Sequence, residues 1–136
     1  KASFSAKLAA HADFSFLAVR DGSAVGYVVV LPWVLGDVPT LNGLAYQVPS
    51  DANGLYIHDI AVSRVARKEG VAERLLHAVL QAAKAKGYER AFLVAVQGAA
   101  SYWRRHGFEP VAVNATLRAR LASYGEGATY MVRPVD

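Results

Sequence analysis

A basic, glycine-containing turn is the stretch of this sequence best suited to binding chemistry. The segment Arg67-Lys68-Glu69-Gly70-Val71-Ala72 joins an apolar, strand-like run at 55–62 to a helical pattern at 71–86. The first backbone N–H groups of a helix lack partners within it, and the helix dipole adds positive charge there. Gly70 has no Cβ atom, so a ligand can approach the backbone closely. We therefore predict an anion site, best suited to a phosphate or pyrophosphate, although an ordinary solvated loop is the alternative.

Two adjacent titratable side chains in the preceding strand could move a proton. His58 is the preferred general base, acting directly or through water, because the histidine pKa ordinarily lies near neutral pH. Asp59 follows it directly. Strict alternation along a strand would point the two side chains to opposite faces, so only one could face a cleft. A hydrogen-bonded structural role is the alternative for His58 and the favoured interpretation for Asp59.

Composition limits the classes of protein and ligand. The 136 residues are 54% hydrophobic, which suits one domain with a substantial core spanning 1–136. The net charge of +4 suits an anionic ligand, either a nucleotide cofactor or a nucleic acid. The sequence has no cysteine, and its four histidines lack H-x-x-x-H spacing, so we expect no metal site.

Location and macromolecular partners are predicted from what the sequence lacks. It contains no apolar run long enough to cross a bilayer and no recognisable signal peptide, so we expect a cytoplasmic protein without a membrane partner. Its basic residues are scattered, without the aromatic clustering that single-strand binding requires. We therefore expect no nucleic-acid partner.

Hydrophobic periodicity predicts the elements that would position these residues. The pattern favours a helix at 4–11, an antiparallel hairpin at 14–31, a strand at 55–62, a helix at 71–86, a strand at 91–96, a short helix at 99–106 and strands at 108–113 and 129–133. The region 117–121 is ambiguous. The long connection at 32–54 carries apolar residues that either line a pocket or anchor the loop. Strand, helix and strand over 55–96 form a βαβ unit with a right-handed crossover, so the fold class is α+β.

Two motifs resemble those of the GNAT superfamily of N-acetyltransferases. Arg67-x-x-Gly70-x-Ala72 fits the family's [QR]-x-x-G-x-[GA] acetyl-CoA loop, and the segment 99–108 fits its A-x-x-[FL]-Y-x-x-x-G-F segment. The resemblance covers about 24–113. It implies a mixed, mostly antiparallel central sheet with a splayed parallel strand pair and flanking helices. The family's first strand and helix are not recognisable before Phe4, so we expect them to be missing.

The resemblance also implies acetyl-CoA as cosubstrate, without a metal. The basic turn would hold the pyrophosphate, and the edge of the 55–62 strand would pair with the pantetheine arm and polarise the thioester carbonyl. The implied cofactor-binding residues are Ile60, Ala61, Val62, Arg67, Lys68, Glu69, Gly70, Val71, Ala72 and Trp103.

The general acid is where the sequence departs from the family pattern. Trp103 occupies the family's tyrosine position, four residues before Gly107, and an indole cannot supply the proton. Tyr102 is adjacent but lies about 100° away around a helix. Either Tyr102 reaches the thiolate, another group does, or the thiolate leaves unassisted. Trp103 packs either against the cofactor arm or in the core.

The function implied by the resemblance is transfer of an acetyl group from acetyl-CoA to a primary amine, by direct attack in a ternary complex. His58 would be the base and Tyr102 the acid. The acceptor would be a small molecule or a peptide amine, and the resemblance allows a homodimer. The alternative is a catalytically inactive CoA-binding sensor or interaction module, which Trp103 supports.

Overall fold

A computed structural model describes residues 2–4, 15–38, 49–96, 98–125 and 127–136. Seven strands form one sheet in the order β1-β2-β3-β4-β5-β7-β6. The strands are β1 (Ala2–Phe4), β2 (Phe16–Arg20), β3 (Ser23–Trp33), β4 (Gly54–Val62), β5 (Arg90–Ala95), β6 (Glu109–Pro110) and β7 (Thr129–Pro134). The helices are α1 (Val71–Lys86), α2 (Ala100–Arg105) and α3 (Ala115–Leu121), with 3-10 helices at Arg64–Glu69 and Ala122–Tyr124.

The sheet is antiparallel throughout its described part except for the pair β4 and β5. A parallel pair needs a crossover connection, and α1 supplies it. The predicted βαβ unit and the predicted α+β class with one parallel pair are therefore confirmed.

Helix α1 forms because its sequence places apolar residues at helical spacing on one face. The buried residues of α1 are Val71, Leu75, Leu76, Val79, Leu80 and Ala83. The helix ends at Gly87, whose φ of +88° is a left-handed conformation that glycine adopts without steric cost. The N–H group of Tyr88 donates to the carbonyl of Ala83 at 2.9 Å, which satisfies a group of the last turn.

Each face of the sheet carries its own hydrophobic core. On one face, α1 packs against alternate residues of β3, β4 and β5, including Val28, Ile57 and Leu93. On the other face, α3 packs with Leu117 and Leu121 against Tyr56 and Phe92. The strands of the parallel pair are thus buried on both faces, as their apolar sequences predict.

The prediction of a helix at 4–11 is corrected at its first residue. Phe4 lies in β1, which pairs with β2, and not in a helix; the rest of the predicted helix at 4–11 lies outside the described residues.

The structure also settles two shorter regions. The strand predicted at 108–113 is reduced to Glu109–Pro110, and the N–H group of Val111 still donates to the carbonyl of Tyr130 at 3.1 Å just beyond it. The ambiguous region 117–121 belongs to α3, which begins after Asn114. The side chain of Asn114 accepts a hydrogen bond from the N–H group of Leu117 at 2.8 Å, an N-cap interaction.

The connection between β3 and β4 is described only in part. Trp33 ends β3 and packs against the core beneath α3, while residues 39–48 lie outside the described part. None of the described helices is long and apolar enough to cross a membrane.

Candidate active site

A cleft opens where the two parallel strands separate. The pairing of β4 with β5 runs from Gly54↔Arg90 to Ile57↔Leu93 and stops there. Strand β4 continues to Val62, paired only with β3 on its other side. Within the described part of the sheet, Ile60 and Ala61 of β4 therefore lie beyond the last pair that this strand forms with β5. The resulting cleft has a volume of about 490 Å³.

The walls of this cleft come from three elements. Its lining residues are Ile60, Ala61, Val62, Ala72, Glu73 and Tyr102. Five of these six were predicted for the site, and the structure brings them together from β4, the first turn of α1, and α2. Glu73 was not predicted; its position in the first turn of the helix was the signal that could have indicated it.

A β-bulge changes the directions of His58 and Asp59. In β4, Asp59 lies opposite Val29 and Ile57 lies opposite Val30, so His58 is the extra residue of the bulge. Both Ile57 and Ile60 pack in the core beneath α1, although strict alternation would separate them. The prediction that His58 and Asp59 point to opposite faces is therefore wrong.

Contacts place both side chains on the face away from α1. The ring of half-buried His58 lies 6.1 Å from the ring of Tyr56, measured between centroids. The hydroxyl of Tyr56 donates to the hydroxyl of Tyr124 at 3.3 Å, which ties the segment after α3 to this side of β4.

Asp59 is held by the neighbouring strand. The hydroxyl of Tyr27 donates to Oδ2 of Asp59 at 2.9 Å, across the β3–β4 pair. This hydrogen bond and the negative charge of Asp59 raise the pKa of Tyr27 above its ordinary value. The contact agrees with the structural role expected for Asp59.

The basic turn contains a short helix and is not an irregular loop. A 3-10 helix, Arg64–Glu69, leads into it and contains Arg67, Lys68 and fully buried Ala66. Glu69 forms an ion pair with Arg20 of β2, which fixes the turn against the sheet. Gly70 then has a φ of +76° and serves as the N-cap of α1.

The start of α1 keeps the donors that an anion would need. The carbonyl of Gly70 accepts the N–H group of Arg74 at 3.1 Å, the first bond of the helix. As the N-cap, Gly70 has no side chain with which to cap the helix, and the N–H groups that precede that of Arg74 have no acceptor within α1. The side chain of Val71 is buried in the core, whereas Ala72 lines the cleft.

Tyr102, rather than Trp103, faces the cleft. Trp103 is 8% exposed and packs in the core, with its ring 5.4 Å from that of Phe108. The structure therefore favours core packing for Trp103 over the predicted contact with the cofactor arm. On Tyr102, partial burial, and secondarily the charge of Glu73, raise the pKa of the phenol, while Arg105 lowers it. The phenol therefore keeps its proton at neutral pH.

No group of three His, Cys, Asp or Glu side chains among the described residues is placed to hold a metal ion. The polar atoms of the cleft are instead backbone groups, one phenol and one carboxylate. This arrangement can bind an extended ligand along β4 and an anion at α1.

Comparison with solved structures identifies similar folds. N-acetylglutamate synthase from Neisseria gonorrhoeae, solved with coenzyme A and N-acetyl-glutamate, has a TM-score of 0.67 and 21% identity over 93% of this chain and 26% of its own. Nourseothricin acetyltransferase has a TM-score of 0.62 and 28% identity over 90% of this chain and 65% of its own. Ard1 from Thermoplasma volcanium has a TM-score of 0.63 and 19% identity over 90% of this chain and 70% of its own.

The chain spans only about a quarter of the first of these proteins and 65% of the second. No protein of curated function matches the sequence. A family model described as the acetyltransferase (GNAT) family matches residues 1–108. That match covers most of the 136 residues and includes β4, the basic turn and α1. The chain therefore belongs to the GNAT acetyltransferase family.

Proposed function

We propose that this protein transfers an acetyl group from acetyl-CoA to a primary amine, by direct attack of the amine in a ternary complex. The observation that carries the proposal is the cleft where β4 extends beyond its pairing with β5, which runs from the edge of β4 to the start of α1. The acceptor is a small molecule or a peptide amine. Membership of an acetyltransferase family supports the reaction type.

The residues of the cleft fit acetyl-CoA in two ways. The edge of β4 at Ile60 and Ala61, beyond the end of its pairing with β5, can pair with an extended arm carrying amide groups, as a peptide strand would. The N–H groups that follow Gly70 can hold the pyrophosphate, aided by the helix dipole. The cosubstrate supplies an acetyl group activated as a thioester.

Two side chains are assigned to proton movement. The acceptor amine must be neutral to attack, although the pKa of a free alkyl ammonium group is about 10. His58, on the face of β4 opposite α1, takes this proton directly or through a water molecule. Tyr102, on the cleft wall, gives a proton to the departing thiolate sulfur. The proton balance is closed when the histidine and the phenol exchange protons with solvent.

The second candidate is a CoA-binding module without catalysis. The observation that favours it is the burial of Trp103, the residue at the family's tyrosine position. The position of Tyr102 on the cleft wall argues for the enzyme, because a protonated phenol is available beside the open edge of β4.

Calorimetric titration with CoA and acetyl-CoA tests the binding half of the proposal. A thiol-release assay with acetyl-CoA and a panel of amines tests the transfer half; amino acids, aminosugar antibiotics, polyamines and peptides form the panel. Binding with thiol release on one class of amine is the expected result. Binding without release on any amine would support the module without catalysis, and no binding would contradict both candidates.

A further inference from the structure

Glu73 puts a carboxylate on the wall of a cleft that is otherwise suited to anions. The residue is exposed, lies in the first turn of α1 and lines the cleft together with Ala72 and Tyr102. It is the only carboxylate on the described cleft wall. A site for the phosphates of CoA would gain affinity without it, because like charges repel.

The side chain of Glu73 turns back toward the N-terminus of its own helix. Its Oε1 atom lies 3.9 Å from the position that a Cβ atom on Gly70 would occupy. A glutamate three residues after the N-cap is in the position from which its carboxylate can reach back to the start of a helix. The carboxylate therefore stands beside the N–H groups assigned to the pyrophosphate.

We propose that Glu73 sets the affinity of the cofactor site, because its carboxylate competes with the phosphates of CoA for the positive end of α1. This inference rests on the proposed function, which places those phosphates at Gly70. Both anions are stabilised by the same positive end of the helix dipole, so each reduces the stabilisation that the other can gain there. Binding of CoA then requires the Glu73 side chain to move away from Gly70.

The charge of Glu73 should therefore increase the stability of the folded protein but decrease its affinity for CoA. In the protein alone, a carboxylate in the first turn stabilises α1 through the helix dipole. In the complex, the same carboxylate repels the phosphates. A residue that only capped the helix would affect stability without weakening the binding of a phosphate-bearing ligand.

The test compares two variants that remove one negative charge each. Glu73→Gln removes the charge at the cleft, while Glu89→Gln removes the charge of an exposed carboxylate at the far end of α1, beside Lys86, Gly87 and Tyr88. Each is titrated calorimetrically with CoA and with pantetheine, which has the arm but no phosphates. Glu73→Ala is a second variant, and thermal unfolding is recorded for every protein.

We expect Glu73→Gln to bind CoA roughly threefold to tenfold more tightly than the unsubstituted protein, with a lower or equal Tm. Glu89→Gln should change the affinity less than twofold, and no variant should change the affinity for pantetheine. The inference is wrong if Glu73→Gln and Glu73→Ala bind CoA no more tightly than Glu89→Gln does. An equal gain for pantetheine would also contradict it. Binding of CoA by none of the proteins would instead overturn the proposed function and this inference with it.

Discussion

His58 and Asp59 share one face of the sheet because, at the bulge, β4 has one extra residue between the pairs Val30↔Ile57 and Val29↔Asp59. This places a histidine and a carboxylate side by side where the strands separate. Asp59 is already engaged by Tyr27, whereas the ring of His58 lies beside Tyr56 at 6.1 Å. The difference in their partners is the reason to assign the proton transfer to His58.

Replacing His58 with alanine should slow turnover roughly 1,000-fold, the middle of the range for general base catalysis. The affinity for CoA should stay within about twofold, because the ring lies on the face of the sheet opposite α1. Steady-state kinetics and calorimetry on the same preparation measure both quantities.

His77→Ala is the matched control for this change, because His77 is exposed on α1. Its turnover should equal that of the unsubstituted protein. Normal turnover of His58→Ala at neutral pH would remove the base assignment and leave the structural role of His58.

Replacing Tyr102 with phenylalanine should lower kcat by at least about 100-fold, the low end of the effect of a general acid. Burial raises the pKa of this phenol above its ordinary value of 10.0, so the protonated, active form persists through neutral pH and is lost only as pH rises through the raised pKa. The rate of the unsubstituted protein should therefore show an alkaline decline above about pH 10 that Tyr102→Phe lacks.

Tyr88→Phe, at the other end of α1, is the control for Tyr102→Phe. A pH–rate profile for each variant makes the comparison. Unchanged rates in Tyr102→Phe would leave the thiolate to depart without a side-chain acid.

The sequence predicted the types of these residues better than their directions. Motif spacing selected Trp103 for the family's tyrosine position, but the phase of α2 buries Trp103 and turns Tyr102 to the cleft. That phase depends on which side of a short helix meets the core, and six residues are too few to define a periodic pattern. The bulge at His58 depends on pairing with a distant strand, so a local pattern could not reveal it.

At the scale of elements, Gly70 and Gly87 bound α1 with the same left-handed conformation. Their φ angles are +76° and +88°. Alanine at either position should cost about 1 kcal/mol of stability, because a side chain disfavours this region. Only Gly70→Ala should also weaken CoA binding, since it alone disturbs the donors at the start of the helix. Calorimetric titration of the two variants with CoA separates the backbone strain that both variants have from the effect on the N–H donors, which only Gly70→Ala has.

Equal affinities in the two alanine variants would show that Gly70 is needed only for the turn. A stronger change at the same position, Gly70→Glu, adds negative charge and bulk beside the phosphates and should abolish binding. Retained binding in Gly70→Glu would remove the phosphate assignment altogether.

Long elements were predicted with nearly correct bounds, and short ones were not. The helix predicted at 71–86 is α1, and the strand predicted at 55–62 is β4 with one more residue. These elements repeat their pattern often enough to be recognised. The 3-10 helix Arg64–Glu69 and the seven-residue α3 are too short for a periodic pattern to be recognised. Their conformation depends on contacts with the rest of the molecule.

At the scale of the molecule, β7 links the edge strand β6 to the centre of the sheet. Strand β7 lies between β5 and β6 and extends the core beneath α3. Tyr130 of β7 connects this core to the segment that follows β3. Its hydroxyl accepts the N–H group of Gly36 at 2.8 Å, a contact between residues 94 positions apart.

The ionisation of Tyr130 should control part of the stability of the whole domain at high pH. Burial raises its pKa to about 12, and the charge of Asp37 acts in the same direction. Because the folded-state pKa lies above the unfolded value, this group stabilises the fold fully below about pH 10 and loses that contribution as pH rises toward 12. Between about pH 9 and pH 11 the loss should be roughly 1 kcal/mol.

Tyr130→Phe isolates this contribution, because it removes the titrating group and leaves the ring against Phe92. Urea unfolding of both proteins at the two pH values gives two differences in the free energy of unfolding. The advantage of the unsubstituted protein should be about 1 kcal/mol at the lower pH, from the lost hydrogen bond to Gly36, and should disappear at the higher pH. A difference that stayed constant would show that the phenol is not protected from ionisation, and that the contact between β7 and the segment after β3 opens before the domain unfolds.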